Sequence, residues 1–227
     1  MGNPTISINL DFETYARERN QDFSERHMGD IPNYSFSLDQ KLRQQLANVK
    51  PLRALLKSVL GMAVEMQKQE SLATSIRVGS NQFPEVQMLG EDCARRLGIG
   101  IPEIYISPEP MLNAFTIAVD SGAPIIVITA DLMRALTQEE LRFVIGHECG
   151  HIHNSHGVYN VMVTMFTNPL ASKIMSKLNR ASKVFTMATF ALNVGLEIFM
   201  SRWSRCAEIS CDRAGLICCG DLSVAQN

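Results

Sequence analysis

The sequence has no dense block of lysine and arginine, because its 21 basic residues are spread along 227 positions and are balanced by 23 acidic ones. The formal net charge is −2, so the chain offers no strong positive field to neutralise nucleic-acid phosphates. We therefore expect no nucleic acid among its partners.

The sequence also lacks the patterns of export and of membrane insertion. Met1 is followed by neither the basic nor the apolar segment of a signal peptide. A spanning helix needs about 20 apolar residues, whereas the run 184–196 ends after thirteen, at Glu197. We expect a cytoplasmic protein with no full transmembrane span, whose six cysteines are mostly buried free thiols.

An apolar segment, 158–200, is interrupted by Asn168-Pro169 and by four basic residues between its two apolar arms. This pattern predicts a helical hairpin inserted into the chain rather than a membrane span. Two roles stay open for it. The hairpin packs on its own domain or on a second copy in a homo-oligomer, or it makes peripheral contact with anionic headgroups and associates the protein with a membrane.

The N-terminal third divides into two parts. Residues 1–36 are polar and irregular, and we interpret them as an N-terminal arm. Residues 37–74 are predicted to be a helical region, because apolar residues recur there at steps of three and four, with Pro51 as a break.

Beyond residue 75 the sequence mixes helix and strand signals. Pro84 predicts the start of a helix and Gly98 its end. Residues 120–122, Asp-Ser-Gly, predict a hairpin turn that pairs the strands on either side antiparallel. The whole predicts a mainly helical α+β fold with a small mixed or antiparallel sheet. Its strands are predicted from runs rich in Ile, Val, Tyr and Phe, at 103–107, 114–119 and 124–129.

The most informative motif follows a helix start. Thr137 and Glu140 have the spacing of a capping box, and the helix that they open carries His147, Glu148 and His151 in the pattern H-E-x-x-H. Residues four apart share one helix face, so both imidazoles can reach one Zn²⁺ ion. Glu148 then lies beside the metal, where it can act as general base on a metal-bound water.

A catalytic zinc needs a third protein ligand and one open position. His153 and His156 follow closely, but the metzincin pattern would require Gly and His at the positions of Asn154 and Gly157. We therefore interpret His153 and His156 as packing or solvated histidines.

Two acidic residues downstream fit the missing roles better. Glu208 and Asp212 lie four apart on a helix that is predicted to run from about Glu197 or Ser201 to about Cys219. Glu208 can become the third metal ligand, while Asp212 can accept a hydrogen bond from a ligating histidine and fix its tautomer. The alternative is an ordinary exposed acidic pair. With H-E-x-x-H upstream, we favour the metal site.

These motifs, in this order, resemble those of peptidase family M48, a gluzincin group related to the HtpX and Ste24 proteases. The resemblance covers about residues 75–220 and departs from the family at Cys211, where alanine is usual. It rests on the segment 77–85 (RVGSNQFPE), Asn113-Ala114-Phe115, Ile128-Thr129 to Leu132, Glu139-Glu140-Leu141, His147 to His151, and Ser204 to Asp212.

The resemblance implies a zincin-like domain over 75–227, with an active-site helix and a second helix that bears a glutamate ligand. It implies one Zn²⁺ per chain, held by His147, His151 and Glu208, with Glu148 catalytic. It also implies that Asn113, Ala114 and Phe115 lie on an edge strand above the cleft, where an extended peptide can pair. For Asn113, a simple turn role remains open.

We therefore expect a zinc-dependent endopeptidase. It would hydrolyse peptide bonds in extended or unfolded polypeptides through a metal-bound water activated by Glu148. The alternative is a latent or non-catalytic zinc-bearing interaction module, whose cleft is covered by the N-terminal region or by the 158–200 hairpin.

Overall fold

A computed structural model describes residues 32–47, 68–69, 71–117, 124–156 and 183–226, without the side chains of 45–47 and 183–200. In chain order the elements are α1 (Ser37–Ala47), β1 (Ile76–Arg77), α2 (Pro84–Leu97), β2 (Glu103–Ser107), β3 (Ala114–Ile117), β4 (Ile125–Thr129), α3 (Ala130–Ala135), α4 (Gln138–His153), α5 (Lys183–Cys219) and α6 (Leu222–Ala225).

The four strands form one mixed sheet in the order β1-β2-β4-β3. β2 runs parallel to β4, whereas β1 and β3 are antiparallel to their neighbours. Every residue of the central strand β4 is buried, as its continuous apolar run suggests. The α+β prediction and the antiparallel pairing of the last two strands are confirmed. The predicted turn at 120–122 lies outside the described residues.

The sheet packs against α2 and α4 around a core that includes Leu97, Ile128 and Ile145. Both predicted ends of α2 are confirmed, because it begins at Pro84 and stops at Gly98. Gly98 has a φ of 70°, a left-handed conformation that glycine adopts without steric strain.

Helices α4 and α5 approach each other closely because glycines line their contact. A Cβ atom built on Gly150 would lie 2.9 Å from the Cα atom of Cys211, and one on Gly146 would lie 2.6 Å from the Cβ atom of Cys218. On the other side, Gly215 of α5 faces the ring of Phe143. This close approach brings the H-E-x-x-H helix against the helix that carries Glu208.

Helix α5 is longer than the sequence suggested. Its predicted start was near Glu197 or Ser201, whereas the helix begins at Lys183. The prediction was wrong because no proline interrupts residues 183–219, so nothing breaks the backbone ladder at Glu197. Residues 157–182 lie outside the described residues, so the 158–200 hairpin stays a prediction. Among the helices that are described, none combines the length and the apolar character needed to span a membrane.

Residues 32–44, ahead of the sheet, pack against α4 and α5. Tyr34 and Asp39 are buried, and the Phe36 amide donates to the Ser210 hydroxyl of α5. Arg43 donates hydrogen bonds to the carbonyl and the side chain of Asn154, just beyond α4. The boundaries 1–36, 37–74 and 75–227 remain predictions, but these contacts join the first two regions to the third.

Candidate metal centre

The start of α4 is fixed by the predicted capping box. The Thr137 amide donates to the Glu140 carboxylate at 2.7 Å, and the Glu140 amide donates to the Thr137 hydroxyl at 3.4 Å. These hydrogen bonds lower the pKa of Glu140. The cap sets the helix register from its first turn, and so sets which face of α4 presents the two histidines.

Glu208 meets both histidines of the motif. One carboxylate oxygen lies 3.2 Å from His147 Nε2, and the other lies 3.8 Å from His151 Nε2. Four ligands about 2.0–2.1 Å from zinc in a tetrahedron stand about 3.4 Å apart. Each nitrogen–oxygen contact is near that spacing, and two imidazoles with one carboxylate are a donor set that zinc takes. Glu208 is 48% exposed, so solvent reaches this side of the group.

Asp212 supports His147 from the opposite ring edge. Its carboxylate lies 3.0 Å from His147 Nδ1. With the Nδ1 proton directed to Asp212, the Nε2 lone pair faces Glu208 and is available to a metal. The sequence assigned Asp212 this role, and the geometry is compatible with it.

The two histidines have opposite electrostatic environments. Burial acts to lower the pKa of His147, but hydrogen bonds to Asp212 and Glu208 outweigh it and raise the pKa to about 10. Burial and the neighbouring imidazoles His156 and His147 lower the pKa of His151 to about 3. The hydrogen bond to His147 lowers the pKa of Glu208. At neutral pH His147 is therefore protonated in the metal-free protein and forms an ion pair with Glu208.

Glu148, next to His147 in the chain, contacts the sheet. Its carboxylate is buried, which raises its pKa, and it accepts a hydrogen bond of 2.7 Å from the Thr116 hydroxyl of β3. The sequence placed Thr116 on the edge strand but gave it no role. Its only sequence signal is its position directly after Asn113-Ala114-Phe115.

Ala114 and Phe115 begin the edge strand β3, and Asn113 directly precedes it. The Asn113 amide donates to the Thr129 hydroxyl, and its carbonyl accepts from the Thr129 amide at 2.9 Å. Within the part of the chain that the structure describes, no strand pairs with the outer edge of β3. The backbone groups on that edge are oriented away from the sheet, above α4.

Comparison with known proteins agrees with this geometry. The model of peptidase family M48 matches residues 80–226, which is well over half of the chain. This chain belongs to peptidase family M48. The resemblance predicted from the motifs is thereby confirmed, and with it membership of a family of metalloproteases.

Two relatives illustrate the range of the similarity. Plastoglobule-localized metallopeptidase 48, chloroplastic, of Arabidopsis thaliana is 29% identical over 86% of this chain and 54% of its own length. Protease HtpX homolog 1 of Sulfurisphaera tokodaii is 35% identical over 49% of this chain and 36% of its own. The M48 chain thus spans about half or less of these relatives. No solved structure matches it.

Cys211 is an alternative to Glu208 as the third ligand of the M48 centre. Ligand atoms of His147, His151 and Cys211 lie within 4.8 Å of one another. However, the Cys211 sulfur is 3.5 Å from Nδ1 of His156, which itself contacts Nδ1 of His151. Cys211 therefore lies behind His151, whereas Glu208 faces its Nε2. Burial also raises the pKa of the thiol, so we favour Glu208.

The structure joins His153 and His156 to the N-terminal segments. Nδ1 of His153 lies 3.0 Å from the Tyr34 hydroxyl. His156 is fully buried, and its Nε2 lies 3.2 Å from the carboxylate of Asp39. Burial lowers the pKa of His156, although the hydrogen bond to Asp39 opposes the shift. Asp39 precedes the matched family segment, and no local pattern in the sequence marked it.

Proposed function

We propose that this chain is a zinc-dependent endopeptidase that hydrolyses peptide bonds in extended or unfolded polypeptides. The observation that carries the proposal is the approach of one carboxylate, that of Glu208, to Nε2 of both His147 and His151. Family membership supports the same reading, since the chain belongs to peptidase family M48. Under this proposal one Zn²⁺ is held by the three side chains.

Zinc, when bound, would lower the pKa of a water toward about 7 and polarise the carbonyl of the scissile bond. Glu148 is the general base. Burial raises the pKa of its carboxyl, which moves it toward the range where a carboxylate both accepts and returns a proton near neutral pH. Glu148 accepts a proton from the attacking water and delivers it to the leaving nitrogen. A carbon–oxygen bond forms and the carbon–nitrogen bond breaks.

The preference for extended polypeptides is argued from β3. Its outer edge offers backbone N–H and C=O groups, and a peptide can use them only if its own backbone is extended. The Thr116 side chain of the same strand contacts Glu148, so a peptide paired along Asn113, Ala114 and Phe115 would run beside the general base. A folded domain cannot present its backbone in this way.

The decisive experiment compares the wild-type protein with Glu148→Gln on an unfolded protein substrate such as casein. Glu85→Gln is the matched control, because Glu85 is exposed on α2. We expect stoichiometric zinc in all three proteins and cleavage in all but Glu148→Gln. Equal cleavage by Glu148→Gln would refute the role of Glu148. Zinc without cleavage in the wild type would favour the latent or non-catalytic module.

A further inference from the structure

A chain of two buried contacts leads from His151 away from the proposed zinc. Nδ1 of His151 lies 3.2 Å from Nδ1 of His156, and Nε2 of His156 lies 3.2 Å from the Asp39 carboxylate. His156 and Asp39 are fully buried. The two imidazole rings stand nearly perpendicular, at 71°, with centroids 5.3 Å apart. The path therefore connects α4 to α1 without solvent.

Only one arrangement of protons satisfies both contacts with neutral rings. If His151 uses Nε2 for the metal, its proton is on Nδ1 and is donated to Nδ1 of His156. That nitrogen must then accept, so the proton of His156 is on Nε2 and is donated to Asp39. The carboxylate thus fixes the tautomer of His156, and His156 fixes the tautomer and the ring orientation of His151.

Asp39 is itself held firmly. Its carboxylate accepts hydrogen bonds from the Trp203 indole at 3.0 Å and from the Ser210 hydroxyl at 2.7 Å, and it pairs with Arg43 at 3.5 Å. An ionised carboxylate is costly to bury without such partners. Two hydrogen-bond donors and one ion-pair partner besides His156 therefore keep the carboxylate in place at the end of the path.

The turn that carries His156 is also clamped from α1. Arg43 donates to the carbonyl and to the side chain of Asn154. Ser155 then takes a left-handed φ of 55°, and the chain folds back so that the His156 amide donates to the His151 carbonyl at 2.9 Å. Helix α1 therefore positions both ends of His156, its backbone and its ring.

The two metal-binding histidines are then supported in parallel ways. His147 has its own carboxylate, Asp212, in direct contact at 3.0 Å from α5. Among the described residues, no carboxylate hydrogen-bonds to Nδ1 of His151, which contacts Nδ1 of His156 instead. We propose that Asp39 is a positioning residue of the metal centre, acting on His151 through His156. This inference rests on the proposed zinc site of His147, His151 and Glu208.

The test measures the zinc dissociation constant by competition with a chelator, and the absorption spectrum of the Co²⁺-substituted protein. The variants are Asp39→Asn, His156→Phe and His156→Gln. Loss of such a supporting contact costs about 10–100-fold in metal affinity, which we expect for the first two. His156→Gln should recover most of the affinity and the wild-type cobalt spectrum, because an amide can accept from His151 and donate to Asp39.

His153→Phe is the matched control, since His153 contacts Tyr34 rather than the metal-facing histidines. We expect it to bind zinc as the wild type does. Melting temperatures show which variants fold. If Asp39→Asn does not fold, the comparison of His156→Phe with His156→Gln tests the proposal. Unchanged zinc affinity in His156→Phe, or an equal loss in His156→Gln, would overturn the proposal. Wild-type protein that binds no zinc would instead defeat the metal site itself.

Discussion

The Thr116 hydroxyl donates a 2.7 Å hydrogen bond to the buried carboxylate of Glu148, and so ties the edge strand to the active-site helix. The same hydroxyl lies 3.1 Å from the Glu148 carbonyl. One side chain therefore sets the position of β3 relative to α4. The strand that would hold a peptide is therefore hydrogen-bonded directly to the carboxylate that would act on it.

Thr116→Val should lower kcat about tenfold or more, because a hydrogen bond to a charged group contributes roughly 1.5–3 kcal/mol. Burial raises the pKa of Glu148, and the hydrogen bond from Thr116 opposes that shift. Loss of the hydrogen bond therefore raises the pKa of Glu148 further. The acid limb of the pH profile of kcat/KM should then move to higher pH. Thr116→Ser keeps the hydroxyl and should restore both values. An unshifted acid limb in Thr116→Val would contradict this role.

Gly150→Ala should separate α4 from α5. The added methyl would lie 2.8 Å from the Ala214 Cβ atom and 2.9 Å from the Cys211 Cα atom, so a backbone must move. We expect a loss of about 1–3 kcal/mol in the free energy of unfolding, together with weaker zinc binding as Glu208 shifts. Gly100→Ala is the control, because a methyl there meets nothing within 4 Å. Chemical denaturation measures both.

Zinc binding should strengthen as the pH rises. The pKa of His147 is raised to about 10 and that of His151 is lowered to about 3, so at neutral pH zinc displaces one proton, from His147. Affinity should rise about tenfold per pH unit between pH 7 and 9. Calorimetry in buffers of different ionisation enthalpy should register one proton released. Release of none would contradict the protonated His147–Glu208 pair.

The raised pKa of His147 also makes the free energy of unfolding depend on pH. In metal-free protein, a raised pKa means that His147 contributes stability that is fully present below its unfolded value of 6.5 and is lost as the pH rises toward 10. Asp212→Asn removes one cause of the shift. Its free energy of unfolding should therefore fall less than that of the wild type between pH 7 and 10.

Local patterns in the sequence were sufficient for much of the fold. The ends of α2 and the cap at Thr137 depend on contacts within a few residues, and the strand at 103–107 is marked by its own run of Ile and Tyr residues. The approach of Glu208 to His147 was predicted from the Glu208–Asp212 spacing together with the upstream H-E-x-x-H, and the family pattern supported it, because spacing within one helix does not by itself bring distant helices together. Asp39 gave no signal at all, since its contact with His156 joins residues 117 positions apart.

The start of α5 and the role of Thr116 were not predicted, for different physical reasons. The start of α5 was placed too late because Glu197 was taken as a boundary, although a single charged residue does not end a helix. Thr116 fell within the predicted strand 114–119 and was given no role of its own. Its contact with Glu148 depends on the packing of β3 over α4, which no periodicity encodes.

Metal analysis of the wild type beside Glu208→Ala and Cys211→Ala distinguishes the two candidate third ligands. We expect one zinc per chain after gel filtration in the wild type and in Cys211→Ala, and a large loss in Glu208→Ala. Asp131→Ala, which removes an exposed carboxylate paired with Arg134, should retain the zinc. Full zinc in Glu208→Ala with loss in Cys211→Ala would contradict the proposed ligand set of His147, His151 and Glu208.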